Sequence, residues 1–126
     1  MSARYLVDSV ILIDLLNGIH QAQAWLSALK PGEAVLSPIT IAEVMTGLSD
    51  NDLVAGEELL DLYDVLVVDK KIAVMAARLR AQERWKLPDA FQAALAQANG
   101  LKLVTRNSKD FPPSVYSFVL VPYQIH

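Results

Sequence analysis

The chain contains no cysteine. Disulfide staples, thiolate metal sites and cysteine nucleophiles are thereby excluded, the pattern suits a reducing compartment, and any bound metal would have to be held by oxygen. No apolar run approaches the roughly 20 residues of a membrane-spanning helix. The N-terminus also lacks the basic-then-apolar layout of a signal peptide, so the expectation is a cytoplasmic protein with no membrane association. Positive charge is short as well: 11 Lys+Arg stand against 14 Asp+Glu, for a net charge of −3. Without bulk attraction for phosphate, RNA or DNA binding would need a local basic stripe or bound cations. The two histidines, His20 and His126, read as exposed, and no Ser/His pairing suggests nucleophilic catalysis. Repeats, linkers and low-complexity segments are absent.

Apolar side chains are what the sequence has in excess, at 53%. A chain of 126 residues reads as one domain, 1–126, able to bury roughly two thirds of its unfolded surface. The surplus implies both a full core and an apolar surface reserved for a partner, with a second copy of the chain as one expected occupant. The stretch Arg4 to Leu16 organises the rest. Its first half is too continuously apolar to have a wet face, which suits a central strand covered on both sides and ending at Asp8. Ser9 then caps a helix with Val10, Ile13 and Leu16 on its apolar face and Ile11 and Leu12 beside them. Asp14 reads as a surface acid of that helix.

Further along, helical spacing predicts a helix over Ile19–Lys30, closed by Pro31-Gly32, and Ala34-Val35-Leu36 a short buried strand. Ser37 and Pro38 are the cap and first residue of a helix carrying Ile41, Val44, Met45 and Leu48, with Glu43 one turn in. Another helix is expected over Leu53–Tyr63 and a third strand over Val65–Val68. Asp69 caps a long helix, Lys70 to about Trp85, with Ile72, Val74, Met75, Ala76 and Leu79 inward. Its cations, Lys70, Lys71, Arg78, Arg80 and Arg84 with Lys86 beyond, read as a solvated face. Leu87-Pro88-Asp89 opens a helix that runs to Asn99-Gly100. Leu101–Val104 is a fourth strand, Thr105–Asp110 a turn at its carboxyl end, and Ser117–Val121 an edge strand.

Strands alternating with helices, without tight hairpin signals, predict an α/β fold: three α/β/α layers around a mostly parallel sheet of four or five strands. In such folds the carboxyl ends of strands and the starts of the following helices converge on one edge. Asp8, Glu43, Asp89 and the Thr105–Asp110 turn all fall there. Crowded carboxylates destabilise one another unless a cation sits between them, so a Mg²⁺ site is expected, with Mn²⁺ able to substitute. Such a site makes phosphodiester hydrolysis possible. Arg106 and Lys109 flank the acids and could hold phosphates beside the scissile one.

Four segments also resemble a known family. Val7-Asp8-Ser9-Val10-Ile11-Leu12-Ile13-Asp14, Ser37-Pro38-Ile39-Thr40-Ile41-Ala42-Glu43-Val44-Met45-Thr46-Gly47, Leu87-Pro88-Asp89-Ala90 and Leu103-Val104-Thr105-Arg106-Asn107-Ser108-Lys109-Asp110-Phe111 are similar to the acidic motifs of PIN-domain ribonucleases. Size and motif wording are nearest the VapC-type toxins. The resemblance covers nearly the whole chain, in order. It implies a PIN-like fold, Mg²⁺-dependent endoribonuclease activity on an RNA substrate, and Asp8, Glu43, Asp89 and Asp110 as catalytic metal ligands, with Ser9, Thr105 and Asn107 in support. It also implies a homodimer and a cognate antitoxin protein. Some members carry an acid where this chain has Asn107, which leaves two arrangements for Asp110, a direct ligand or an outer one. Two other classes compete. A non-catalytic PIN-fold interaction module would keep the acids as relics. A receiver or phosphatase-like protein needs a second acid beside Asp8 or two residues beyond it, and Val7, Ser9 and Val10 supply none.

Overall fold

The computed structural model describes residues 2–125, so the expectation for His126 lies outside the described residues. In chain order the elements are β1 (Tyr5–Val7), α1 (Ser9–Leu16), α2 (His20–Ser27), β2 (Ala34–Leu36), α3 (Pro38–Thr46), a 3-10 turn (Asp50–Asp52), α4 (Leu53–Leu60), β3 (Asp64–Val65), α5 (Lys70–Glu83), α6 (Leu87–Ala98), β4 (Lys102–Val104) and β5 (Val119–Leu120). The strands form one sheet in the order β3-β2-β1-β4-β5, parallel at every pairing. β1 is the middle strand.

Alternation along each strand explains the three layers, because successive side chains leave opposite faces of a sheet. Leu6, Val35, Leu103 and Val119 face one way and pack with Ile72 and Ala76 of α5, the alanine-rich face of α6, and Trp85 and Phe111. Val7, Ala34, Leu36 and Val104 face the other way, onto Ile11 and Leu12 of α1, Val44 of α3 and Leu60 of α4. Each face is covered by helices, which is why these short strands contain no polar alternation. The expected α/β/α architecture is therefore the observed one. Among the described residues no helix is long and apolar enough to cross a membrane.

Several local expectations are corrected. The third strand shrinks to Asp64–Val65. Leu66 still donates its N–H to the Leu36 carbonyl at 2.8 Å, but Val67 is 79% exposed, because β3 is an edge with no neighbour outside it and the chain turns away to deliver Asp69 to the start of α5. There the Asp69 carboxylate accepts from Ile72 N–H at 3.0 Å, as its cap position requires. Val74 points outward rather than inward: it lies two residues from both Ile72 and Ala76, on the far side of the helix turn. The N-cap of α1 is Asp8, whose carboxylate accepts from Ser9 N–H, so Ser9 is the first helical residue and its hydroxyl is free for other work. The fully buried face of α1 is Ile11 and Leu12, with Val10, Ile13 and Leu16 partly buried.

Asp14 is the largest departure. It is buried rather than a surface acid, and its carboxylate accepts from Arg106 Nε at 2.6 Å, Arg106 Nη2 at 2.9 Å and the Tyr123 hydroxyl at 2.9 Å. Burial alone would raise the Asp14 carboxyl. The hydrogen bonds from Arg106 and Tyr123 and the guanidinium charge outweigh it and hold the group below its ordinary value. This trio ties α1, the turn after β4 and the segment after β5 together. Asp14→Ala would leave a half-buried guanidinium without its partner, so it is expected to cost about 2 kcal/mol, below the full cost of a broken buried pair because Arg106 is partly wet. Urea unfolding at pH 7 measures it. Since the folded carboxyl titrates low, the contribution is complete above the ordinary carboxylate range and is lost as pH falls through the lowered value, so the gap between wild type and mutant should close in strong acid.

Candidate active site

Asp8 leaves β1 at the carboxyl edge, its N–H held by the Val104 carbonyl at 2.9 Å, and is 9% exposed. Three donors fix its carboxylate. Ser9 N–H reaches Oδ1 at 2.9 Å, Gln92 Nε2 reaches the same oxygen at 3.2 Å, and the Thr105 hydroxyl reaches Oδ2 at 2.9 Å. Thr105 is fully buried at the end of β4, and its oxygen also accepts from Asn107 N–H at 3.1 Å. The turn after β4 is thus folded around the same carboxylate that ends β1.

Glu43 arrives from α3, which starts where β2 ends. Ser37 caps that helix through Thr40 N–H at 3.0 Å and Pro38 occupies its first turn. Ser9 Oγ donates to Glu43 Oε1 at 3.1 Å, which links the second acid to the residue following the first. The Glu43 carboxyl is pushed up by desolvation and then by the Asp8 charge, against the Ser9 hydrogen bond. Asp89 lies in the first turn of α6. Its carboxyl is pushed up to about 6, by burial first and then by the charges of Asp8, Asp110 and Glu43, with Lys86 opposing. The charges of Asp8, Glu43 and Asp110 therefore all bear on Asp89, and that of Asp8 also on Glu43. Among the described residues, however, no three Asp, Glu or His side chains are gathered tightly enough to enclose a metal ion by themselves.

Asp110 is exposed and joined to the turn by Asn107, whose Nδ2 donates to Asp110 Oδ2 at 3.0 Å and whose Oδ1 accepts from Asp110 N–H at 3.3 Å. Trp85 Nε1 donates to the Asp110 carbonyl at 2.9 Å, and the Trp85 and Phe111 rings stack with centroids 4.8 Å apart. An aromatic anchor under the backbone thus places an acid at the surface. Lys109 is exposed beside it. Arg106 spends its Nε–H and one Nη2–H on Asp14, so Nη1 and the second Nη2–H remain for a phosphate.

Sequence reasoning passed over the buried polar group beneath Asp8. Ser37, Thr40 and Gln92 are each 1% exposed or less. The signal was available: Gln92 is the one long polar side chain in Ala90-Phe91-Gln92-Ala93-Ala94-Leu95-Ala96, and it falls three residues after Asp89, on the same face of the helix.

The comparisons with known proteins identify the family of the chain. A family model described as the PIN domain matches residues 5–112. Ribonuclease VapC10 of Mycobacterium tuberculosis is 34% identical over 113 residues, covering 85% of each chain. A toxin-antitoxin complex from Klebsiella pneumoniae contains a chain 36% identical, with TM-score 0.87, covering 96% of this chain and 99% of that one. VapBC-1 from nontypeable Haemophilus influenzae gives 25% identity and TM-score 0.67, over 91% of this chain and 93% of its own. Matched along most of its length by the domain model and by a ribonuclease relative, the chain belongs to the PIN-domain family, in the company of the VapC ribonucleases.

Proposed function

We propose that this chain is a divalent-metal-dependent endoribonuclease, acting as a single domain over residues 1–126 in the cytoplasm, and the toxin of a toxin-antitoxin pair. The convergence at one sheet edge of Asp8, of Glu43 joined to it through Ser9, of Asp110 held by Asn107 on the turn folded around Asp8, and of Asp89 carries the reading. The Asp89 carboxyl is raised to about 6 by burial first and then by the charges of Asp8, Asp110 and Glu43, and a cation is a compensation that this all-oxygen donor set fits. Mg²⁺ commonly takes one or two carboxylates and keeps several waters, which suits acids arranged around a shared space and not collapsed onto one point. Asp8, Glu43 and Asp89 would hold the ion, with Asp110 completing the site from the surface and Mn²⁺ able to replace Mg²⁺. The chemistry such an ion supplies when bound is Lewis acidity, which activates water and offsets charge on the phosphodiester.

This chain's own residues do the positioning. Ser9 and Thr105 orient the Glu43 and Asp8 carboxylates, and Asn107 holds Asp110. Lys109 and the remaining N–H groups of Arg106 supply, locally, the attraction for RNA that a net charge of −3 denies. The test is cleavage of a panel of defined RNAs, tRNAs included, in Mg²⁺, in Mn²⁺ and after chelation. Cutting is expected with either metal and none in excess chelator, whereas cutting that survives chelation overturns the metal-dependent reading. A calorimetric Mn²⁺ titration separates it from a non-catalytic interaction module, which would bind no ion.

The partners follow from the surface. A groove of about 380 Å³ is lined by Ile41, Met45, Leu60, Tyr63 and Val65 among others, and Val54, Leu62 and Val67 are more than two-thirds exposed. A cognate antitoxin would bury such surface with an apolar segment and present an arginine to two of the four acids, excluding the metal. Saturating Mn²⁺ and Asp8→Asn should then both weaken antitoxin binding; indifference to both would place the partner away from the acids. A second copy is the other proposed partner, and light scattering showing a strict monomer at tens of micromolar, about the range where a modest interface holds, would count against it.

A further inference from the structure

The acids of the site are its visible half. Beneath Asp8 lies a closed set of hydrogen bonds whose only long side chain is Gln92, 1% exposed in the middle of α6. Its carboxamide can be oriented one way only. Ser37 Oγ, which accepts from Thr40 N–H at 3.0 Å, donates its proton to Gln92 Oε1 at 2.6 Å. Thr40 Oγ1 gives its own proton to the Val7 carbonyl at 3.0 Å and can therefore only accept at its 2.8 Å contact with Gln92, which must be the amide nitrogen. The second amide proton of that nitrogen is then left for Asp8 Oδ1 at 3.2 Å. Among the described residues no buried side-chain nitrogen or oxygen is left without a partner. The amide thus joins the cap of α3, the last residue of β1 and the carboxylate that begins α1.

We propose that Gln92 is a positioning residue for Asp8, holding Oδ1 against rotation so that the carboxylate meets an incoming divalent cation in one orientation. This rests on the nuclease site proposed above. A carboxylate ligand is set by its own hydrogen-bond donors as much as by the metal, and loss of such a donor characteristically costs metal affinity. Ser9 N–H and the Thr105 hydroxyl are the other two donors. Of the three, Gln92 alone brings the orientation of a helix packed across the sheet, and it carries Asp89 one turn earlier on that helix. Two acids, one at the end of the central strand and one on the helix packed over the sheet, are thereby referred to each other through one side chain.

Gln92→Met keeps the length of the side chain and its helical preference while removing all three contacts. Gln92→Asn keeps the amide but withdraws it by one methylene, and serves if the methionine variant does not fold. Mn²⁺ binding to metal-free protein is read by calorimetry, with folding checked by circular dichroism and thermal melting. Either variant is expected to bind Mn²⁺ about 10–100-fold more weakly than wild type. Ile72→Val, in the buried core and outside the hydrogen bonds that hold the acids, is expected to lower the melting temperature and leave Mn²⁺ affinity unchanged, so destabilisation alone does not produce the result. In an Asp8→Asn background, Gln92→Met should cause no further loss of affinity. Wild-type affinity in the folded Gln92 variants, or an equal loss in Ile72→Val, overturns the positioning role and leaves the nuclease reading intact. Wild-type protein that neither binds Mn²⁺ nor cuts RNA overturns both.

Discussion

Asp8→Asn should abolish metal-dependent RNA cleavage and leave a folded protein. The two side chains have nearly the same shape, and the surroundings of Asp8 accommodate the exchange. Oδ1 faces two donors, Ser9 N–H and Gln92 Nε2, and the asparagine carbonyl can take that place. The new amide nitrogen then falls opposite the Thr105 hydroxyl, which can rotate to accept, since it gave its proton to Oδ2 in the wild type. What disappears is a formal charge at the centre of the acidic cluster. A loss of one well-placed electrostatic group in a catalytic site is typically worth on the order of 10²–10³ in rate, and removal of Asp8 as the proposed metal ligand should reach at least that. Cleavage of a defined RNA under Mn²⁺ excess, followed over hours, is the measurement. Cutting at the wild-type rate by a folded Asp8→Asn protein would remove Asp8 from the site.

The metal-free protein is expected to lose stability as pH rises from about 4 to about 6 and to regain it when Mn²⁺ is added at higher pH. The Asp89 carboxyl titrates near 6 in the fold against an ordinary 3.8, so between these values the folded state holds a proton that the unfolded chain has released. Stability must fall with rising pH wherever the folded state binds more protons. Glu43, also pushed up, contributes with the same sign. A shift of this size is worth at most about 3 kcal/mol, and solvent screening at the open edge reduces it to on the order of 1–2 kcal/mol. For a domain of this length that is roughly 3–8 °C in melting temperature. Asp89→Asn should flatten the dependence and melt higher than wild type at pH 8 without metal. Mn²⁺ should raise the wild-type melting temperature more at pH 8 than at pH 5, because protons and cation compete for the same carboxylates. A metal-free melting temperature that climbs between pH 5 and pH 8 in wild type, and equally in Asp89→Asn, would refute the proposed crowding.

The sequence by itself determined the layers. Short apolar triplets such as Tyr5-Leu6-Val7 and Ala34-Val35-Leu36, bounded by turn and cap residues, suit strands covered on both faces, and the 3.6-residue spacing between them, with Ser37-Pro38 and Asp69 at helix starts, is local chemistry that needs no knowledge of the fold. The candidate acids were proposed for a related reason: Asp8 ends an apolar strand and Glu43 sits inside an apolar, small-residue stretch, where a charge has to be explained, whereas Asp89 and Asp110 rest on the register of the four motifs. The tertiary structure alone decided the pairings. Asp14 lies 92 residues from Arg106 and 109 from Tyr123, and Gln92 lies 84 from Asp8. Nothing in the neighbourhood of any of these residues records the other. Their meeting depends on β4 lying beside β1, and that order follows from how the whole chain closes its core. The same reason accounts for the strand that shrank and the valine that turned outward. Val67 and Val74 carry the propensity of buried residues, but burial needs a facing neighbour, and at the β3 edge and on the outer side of α5 the fold provides none.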